Sequence, residues 1–432
     1  MKKQALAIAL AMSTAAATFA GTTPFLAEGS TEAEDHDPVT IEVEIVDSNW
    51  SSEFSKLKDA FEAEYPWITV ESVGESQDKT EFLASRIAAN DLPAVIQVTS
   101  SKDILDMIDA GMIRDVSDTE AAANVPQYFR DAFTYHDIMY GVTQGASFST
   151  LYLNMAALRE AGWDKAPTNF DEFLQCCEDI KNNTDYDPLL INGGHFTICY
   201  MLYELALANC FTSADEATAY EQAFSDGTFD FTKYPEAVEK MNKIIPYLMP
   251  GSATIEQDDA CATMADGGAA MLISGNWVSS AALDAIAEDA GTEDDAVAVF
   301  PPFNDADKDL WISTSTEAGF GLTVQEDKNV EEAADLFFEW IFKPENFKVI
   351  QNARGTVPVM TNMPAEDIVL PAGIIDLVPE VTKQNSVMMG YNYMSPEFQD
   401  QGCTALRDAY SGNSTMDDAV KKMTEIVSEH HQ

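Results

Sequence analysis

The segment Gly267–Ser280, GGAAMLISGNWVSS, places one aromatic side chain directly after a turn. Apolar Met271–Ile273 is typical of a short buried strand, and the Ser-Gly-Asn that precedes Trp277 is typical of a surface turn. An indole has a flat apolar face and one N–H donor, which suits a ligand such as a sugar ring. The spacing predicts an aromatic binding platform at a strand end; a Trp277 that merely fills the core is the alternative.

The sequence contains no motif for catalysis. HExxH, GxSxG, Walker and GxGxxG patterns are missing, and the histidines away from the C-terminus are too few for a metal site or a triad. With 73 acidic residues, carboxylate pairs arise by chance and say nothing about glycoside hydrolysis. The acidic turn NDADKDLW starts like an EF-hand loop but lacks its glycine and its final glutamate. We expect a binding protein rather than an enzyme, without cofactor or metal.

Length and charge limit the class of protein further. A chain of 432 residues exceeds what one core usually supports, so two domains are expected. Twenty-four basic against 73 acidic residues give a net charge of −49, which repels nucleic acid and anionic membranes. Beyond the N-terminus no stretch reaches the roughly 18 apolar residues of a membrane span. We therefore expect a globular protein with no nucleic-acid partner and no transmembrane segment in the mature chain.

The N-terminus has the pattern of an export signal. Two lysines precede apolar Ala5–Met12, and small residues surround a cleavage position after Ala20, so residues 1–20 are predicted to be a signal peptide. Residues 21–38 are small, polar and acidic, which predicts a flexible leader. The mature protein is expected outside the cytoplasm.

Strands and helices alternate from residue 39 onward. TIEVEIVD alternates apolar and polar residues as a strand does, and a helix follows from Ser51. The unbroken apolar strand Ala94–Val98 favours a parallel sheet covered by helices on both faces. In such sheets ligands bind where the strands end. The polar or aromatic residues at these ends are Asn49, Trp50, Gln77 and Ser100; helix caps and turns are the alternative explanation.

Six segments, in this order, resemble the extracellular sugar-binding proteins that serve ABC importers, often called family 1 solute-binding proteins. No single segment is specific, but together they cover almost the whole chain after its first 40 or so residues. They are LKDAFEAEYPWITVE (57–71), RIAANDLPAVIQV (86–98), YGVTQGASFSTLYLNMAALREAGWDKAPTNFDEF (140–173), Gly267–Trp277, AADLFFEWIFKPENFKVIQNARGTVPV (333–359) and ALRDAYSGNSTMDDAVKKM (405–423).

The resemblance implies a two-lobed α/β periplasmic-binding-protein fold, each lobe a doubly wound sheet flanked by helices. The lobes are discontinuous and joined by a hinge of crossing segments, so lobe 1 would comprise 39–145 and 317–355, and lobe 2 would comprise 146–316 and 356–432. The ligand cleft would lie between them.

The resemblance also implies a function and a set of ligand-binding residues. The protein would capture a neutral mono- or oligosaccharide by hinge closure, as a monomer, and deliver it to the membrane-embedded subunits of an ABC permease. Aromatic rings would stack on the sugar and polar groups would bind its hydroxyls. The expected residues are Asn49, Trp50, Gln77, Ser100, Ser147, Asn276, Trp277, Glu317, Arg354, Tyr391, Asn392 and Tyr393.

Several points stay open. The same fold also serves polyamines and metals, and an exported glycan-binding or glycan-degrading protein is a further alternative. Gram-positive members usually carry a lipoprotein cysteine after the signal, whereas the first cysteine here is Cys176, which leaves a periplasmic or a released protein. The six cysteines are compatible with one or two disulfides or with buried thiols.

Overall fold

The structure is a computed structural model of the chain. All elements described below belong to the unit Pro38–Gln432. The described residues are 36–45, 51–74, 79–98, 104–354, 356–363, 369–381, 385–392, 394–395 and 397–429.

Thirteen strands and eighteen α-helices are assigned in these ranges. The strands are β1 (Val39–Glu44), β2 (Ile68–Val73), β3 (Val95–Val98), β4 (Thr134–Tyr135), β5 (Ile138–Met139), β6 (Val142–Thr143), β7 (Ala146–Asn154), β8 (Leu190–Ile191), β9 (Met271–Gly275), β10 (Ala296–Val299), β11 (Trp311–Thr316), β12 (Gly319–Leu322) and β13 (Asn385–Met388). The helices are α1 (Ser51–Glu64), α2 (Lys79–Ala89), α3 (Leu105–Asp109), α4 (Glu120–Ala123), α5 (Gln127–Arg130), α6 (Met155–Glu160), α7 (Phe170–Asn183), α8 (Phe196–Ala208), α9 (Ala214–Ser225), α10 (Pro235–Ile244), α11 (Gln257–Ala265), α12 (Ser279–Ala290), α13 (Lys328–Ile341), α14 (Pro344–Arg354), α15 (Ala372–Ile375), α16 (Val378–Val381), α17 (Cys403–Tyr410) and α18 (Met416–Glu429).

The first sheet has the strand order β2-β1-β3-β12-β6. Strands β1, β2 and β3 are parallel, with Val39 opposite Ile68 and Val43 opposite Val95, as the alternation of strands and helices predicts. Strands β12 and β6 are antiparallel additions, because both belong to segments that pass between the two sheets. Helices α1 and α13 cover the sheet through an aromatic cluster in which the Phe61 ring lies 5.1 Å from the Phe337 ring and 5.3 Å from the Trp340 ring.

The second sheet has the order β13-β11-β7-β9-β8, and β10 pairs with the far half of β7. Strands β9, β10 and β11 are antiparallel to β7, while β8 is parallel to β9 and β13 is parallel to β11. Five strands therefore run in one direction, opposite to β7. The carboxyl ends of β8, β9, β11 and β13 consequently lie at the edge where β7 begins; we call this the carboxyl edge of the second sheet.

The two faces of the second sheet pack into different cores. Leu151 and Leu153 of β7 point into a large helical core, whereas Phe148 and Tyr152 point into a smaller one. Helix α8 crosses the large core with all but one of its residues buried, since a predominantly apolar helix has no face suited to water. Four of the cysteines, Cys176, Cys177, Cys199 and Cys403, are buried there as thiols.

Within the described ranges, the connections between the two sheets lie side by side. The chain passes from the first sheet to the second between β6 and β7, at Gly145, and returns between β11 and β12, at Glu317. It crosses a third time after α14, at Val357. The Glu317 N–H donates to the Gly145 carbonyl (2.9 Å), and Ala146 and Val357 exchange backbone hydrogen bonds of 2.8 and 3.0 Å. Backbone bonds thus join the crossing segments, which is the arrangement of a hinge.

Candidate functional site

Trp277 lies across the end of β9. The ring is half-buried and packs against both cores of the second sheet. A Cβ on Gly275 would lie only 2.0–2.2 Å from atoms of the indole, so the ring can occupy this position only above a glycine. The predicted strand is present, but the predicted surface turn is instead the buried 3-10 turn Asn276–Val278, because it packs under the strand ends of the second sheet; it places the indole at the carboxyl edge.

A row of hydroxyls lies beside the indole. Ser149 is paired directly with Gly275, and Ser147 with Ser315, so these side chains share one face of the sheet. The Ser147 hydroxyl donates to the Glu317 carboxylate. The hydroxyls of Ser149 and Ser315 are buried and have no partner among the described residues. The predicted residues Ser147, Trp277 and Glu317 thus belong to one polar surface at the hinge.

Asn276 and Asn392 are buried at the same edge. The Asn276 side-chain oxygen accepts the Phe148 N–H (2.8 Å) and so ties the turn after β9 to β7. The Asn392 amide donates to the Thr316 hydroxyl (3.2 Å), while its side-chain oxygen has no partner among the described residues. Both side chains brace strand ends around the polar surface, and their contact with a ligand remains a prediction.

The other predicted site residues are not described in full. Asn49, Trp50, Gln77, Ser100 and Tyr393 lie outside the described residues. The same is true of the side chains of Arg354, the last residue of α14, and of Tyr391, which lies in the short 3-10 turn Gly390–Asn392.

The hinge has a polar interior that the sequence analysis missed. Both side-chain polar atoms of Gln144 and of Gln351, together with the Thr356 hydroxyl, are buried without a partner in the described part of the chain. A buried polar group without a partner costs about 1–3 kcal/mol, so these atoms need partners beyond the described residues, such as water or ligand. A glutamine between Thr143 and Gly145, in a crossing of mostly small and apolar residues, is the signal that could have revealed this surface.

The end of β8 is a second missed part of the site. Parallel pairing of β8 with β9 places Asn192 beside Ser274, and a polar oxygen of each is buried without a described partner. His195 follows as the exposed residue before α8, and its ring stacks on that of Phe196, with the ring centroids 4.9 Å apart. Arg407 donates to the carbonyls of Gly193 (2.9 Å) and Gly194 (2.7 Å). A Gly-Gly pair after an apolar strand marks this position in the sequence.

The described residues offer no arrangement for metal chemistry. They contain no cluster of three or more His, Cys, Asp or Glu side chains able to hold an ion. In the EF-hand-like turn, Asp305 accepts from Lys240 and from Lys308, each at 2.8 Å. These ion pairs neutralise the carboxylate that a Ca²⁺ site would need.

Fold and site together define a class: a two-lobed α/β protein whose polar, aromatic surface lies where strands end and the chain crosses between lobes. The profile of a bacterial extracellular solute-binding protein family matches residues 56–372, most of the chain, and the chain belongs to this family. The predicted family resemblance, the two-lobed fold and the solute-binding function are confirmed. No curated protein sequence matches the chain.

Solved structures show the same fold at low sequence identity. A chitin oligosaccharide binding protein is 20% identical, with a TM-score of 0.75 over 92% of this chain and 100% of its own. RafE in complex with raffinose is 18% identical, with a TM-score of 0.71 over 91% and 100%. A sugar transporter from Bacillus licheniformis in complex with stachyose is 17% identical, with a TM-score of 0.67 over 90% and 99%. No helix in the described ranges combines the length and hydropathy that crossing a bilayer requires.

Proposed function

We propose that this protein captures a neutral oligosaccharide outside the cytoplasm and delivers it to an ABC permease. The observation that supports this most directly is the position of Trp277. Its ring lies over Gly275 beside the hydroxyl row of Ser147, Ser149 and Ser315, at the edge where the chain crosses between the sheets. A sugar presents apolar C–H faces and equatorial hydroxyls, which an indole and a hydroxyl row complement.

The charge of the site favours a neutral ligand. A carboxylate or phosphate ligand would require a cation in a forked contact. At the end of β8 the Arg407 guanidinium is engaged by two backbone carbonyls, and at the hinge Glu317 supplies an acceptor. Hydroxyl groups of a sugar can donate to Glu317 and to the amide oxygen of Asn392, which has no partner among the described residues. Structural neighbours solved with raffinose and stachyose support the same ligand class.

Hinge closure is the mechanism that this fold allows. A ligand held on the carboxyl edge of the second sheet gains contacts from the strand ends of the first sheet only when the lobes close, so it selects the closed state. The proposal includes the lobe boundaries, 39–145 with 317–355 for lobe 1 and 146–316 with 356–432 for lobe 2. It also includes a signal peptide at 1–20, a leader at 21–38, a monomeric state and an ABC permease as partner. Binding alone suffices, and no catalytic step is required.

A thermal-shift screen tests the ligand class. The mature chain is heated with raffinose, stachyose, chitin oligosaccharides, acidic sugars, a polyamine and Ca²⁺. A ligand at 100 times its dissociation constant stabilises the folded state by about 2.7 kcal/mol, which gives a clear shift. A response to one neutral oligosaccharide class supports the proposal. A response to the polyamine or to Ca²⁺ alone would replace the ligand class, and glycan turnover would indicate an enzyme.

Replacement of Trp277 tests the site itself. Trp277→Ala should weaken binding of the responding sugar by about 1–3 kcal/mol. Trp163→Ala is the matched control, because Trp163 is also part-buried in this half of the chain but bonds to Asp179 (3.0 Å) away from the carboxyl edge. If the Trp277 variant and the wild type bind the sugar with equal affinity, the indole belongs to the core and does not contact the ligand.

A further inference from the structure

Strand β13 is at the edge of the second sheet and leads into the turn that carries Tyr391 and Asn392. On its inner side the Met389 N–H donates to the Thr314 carbonyl of β11. The N–H groups of Met388 and Gly390 alternate to the outer side, where the described part of the sheet has no further strand. Unpaired donors at a sheet edge need other acceptors, and in this protein two glutamates provide them.

Glu204 of α8 accepts a hydrogen bond from the second of these donors, the Gly390 N–H. It is fully buried, and its Oε1 accepts the Gly390 N–H (2.7 Å) and the Tyr220 hydroxyl (2.6 Å). Its Oε2 accepts the Ser313 hydroxyl of β11 (2.6 Å). One carboxylate therefore connects two helices, a central strand and the turn after β13.

Glu221 of α9 accepts a hydrogen bond from the first donor, the Met388 N–H. Its Oε1 accepts the Met388 N–H at 2.6 Å. A Cβ on Gly390 would lie 2.3 Å from the Tyr200 ring and 2.8 Å from the Phe224 ring, so α8 and α9 press directly on the backbone between the two glutamates. The segment is held by two short contacts with carboxylates and by close packing.

Among the described residues, neither carboxylate has a cation to balance it. No described Lys, Arg or His contributes to the electrostatics of Glu204 or Glu221. The titratable groups that face the pair are Tyr200 on α8, Tyr220 on α9 and Asp131 before β4, while β11 and β13 present only hydroxyl and backbone groups. Burial raises the pKa of each glutamate to about 7, and a neighbouring negative charge adds to this effect, that of Glu221 for Glu204 and that of Asp131 for Glu221.

We propose that Glu204 and Glu221 are positioning residues of the ligand site, whose negative charges hold residues 388–392 in the conformation that binds the ligand. The inference rests on the proposed function, because it assigns the turn Gly390–Asn392 to that site. Hydrogen bonds to an ionised acceptor are about twice as strong as neutral ones. Protonation weakens the hold on the Met388 and Gly390 N–H groups, so affinity falls as the pH drops through neutrality.

The direction of this pH effect shows whether the two glutamates position the ligand site or only stabilise the fold. Charged, buried carboxylates destabilise the fold, so stability rises as the pH falls through 7. The affinity for the ligand should instead fall as the pH falls through 7. We expect the dissociation constant to increase about fivefold per carboxylate between about pH 8.5 and about pH 6. A structural role alone would leave the affinity constant over this range.

The experiment uses the mature chain with Glu204→Gln, Glu221→Gln and, as control, Asp215→Asn, an exposed acid on the same helix as Glu221. Glutamine keeps an acceptor but no charge. Calorimetry with raffinose, stachyose and chitin oligosaccharides measures affinity at both pH values, and hydrogen exchange of the ligand-free protein measures protection of residues 385–392. We expect both glutamine variants to show weaker affinity and faster exchange at the higher pH, a smaller pH effect, and the control to match the wild type.

The two measurements separate this inference from the proposed function. If no sugar binds to the wild type, the proposed function fails, and the exchange data alone decide whether the carboxylates hold the segment. Affinity and exchange within twofold of the wild type in both glutamine variants would overturn the inference, whatever their thermal stability.

Discussion

Replacing Glu204 by glutamine should make the protein more stable at alkaline pH. The side chain would keep its shape and its contacts, because the amide oxygen can accept from Tyr220 and Gly390 and the amide nitrogen can donate to the Ser313 hydroxyl. The change removes only the charge that the wild-type chain acquires near neutrality.

The size of the effect follows from the pKa of Glu204. Burial raises it from 4.5 to about 7, and each unit corresponds to about 1.4 kcal/mol. A raised pKa in the folded state means that the stabilisation is fully present below the unfolded pKa, about 4.5, and is lost as the pH rises through about 7. The wild type should therefore lose about 3 kcal/mol from this one group by pH 8, and the glutamine variant should not.

Urea unfolding of both proteins from about pH 4.5 to about pH 8 measures the difference. Comparison at each pH cancels the contributions of the other acidic residues, and Asp215→Asn controls for the loss of one exposed charge. The variant should nearly equal the wild type at about pH 4.5, exceed it increasingly as the pH rises to about 7, and keep a constant advantage above that. A difference that does not grow with pH would show that Glu204 ionises at its ordinary pKa, and the argument from burial would be wrong.

Other substitutions test the site and the hinge. Gly275→Ala would place a Cβ 2.0 Å from the indole, so the ring must move; we expect sugar affinity to fall at least about tenfold, measured by calorimetry, and unchanged affinity would remove Trp277 from the site. Gly145→Ala would place a Cβ 2.7 Å from the Thr356 hydroxyl; overpacking there should cost about 1–3 kcal/mol in thermal unfolding, and an unchanged midpoint would mean that the crossing segments can separate freely. Small-angle scattering should show a more compact particle with the bound sugar than without it, and identical profiles would contradict hinge closure.

The sequence predicted the elements of the site where local pattern determines them. Apolar Met271–Ile273, the glycine and the tryptophan suffice to predict a strand, a turn and an indole at the strand end, because each depends on its immediate neighbours. The parallel strands β1–β3 followed in the same way from alternation with helices. Ser147 and Glu317 came from the family resemblance, and the structure joins them by a hydrogen bond.

The sequence did not reveal the polar interior of the hinge. Gln144, Gln351 and Thr356 come together because two crossing segments and the end of α14 meet there, and their separation along the chain hides the cluster. The position of Asn192 beside Ser274 was not predicted either, because the two residues are far apart along the chain. Ser274 lies in β9, 82 positions later by the numbering of the chain, and only strand pairing brings the two together.

By itself the sequence determined the acidic charge, the order of strands and helices and the placement of Trp277 after a strand, since composition and short-range periodicity carry that information. Only the tertiary structure decided what Glu204 does. In the sequence it is a single acid within the apolar helix FTICYMLYELALA. Its pKa and its hold on the turn after β13 depend on Tyr220, Ser313 and Gly390, which are 16, 109 and 186 positions away. Desolvation and hydrogen bonding act through space, so they exist only once the chain has folded.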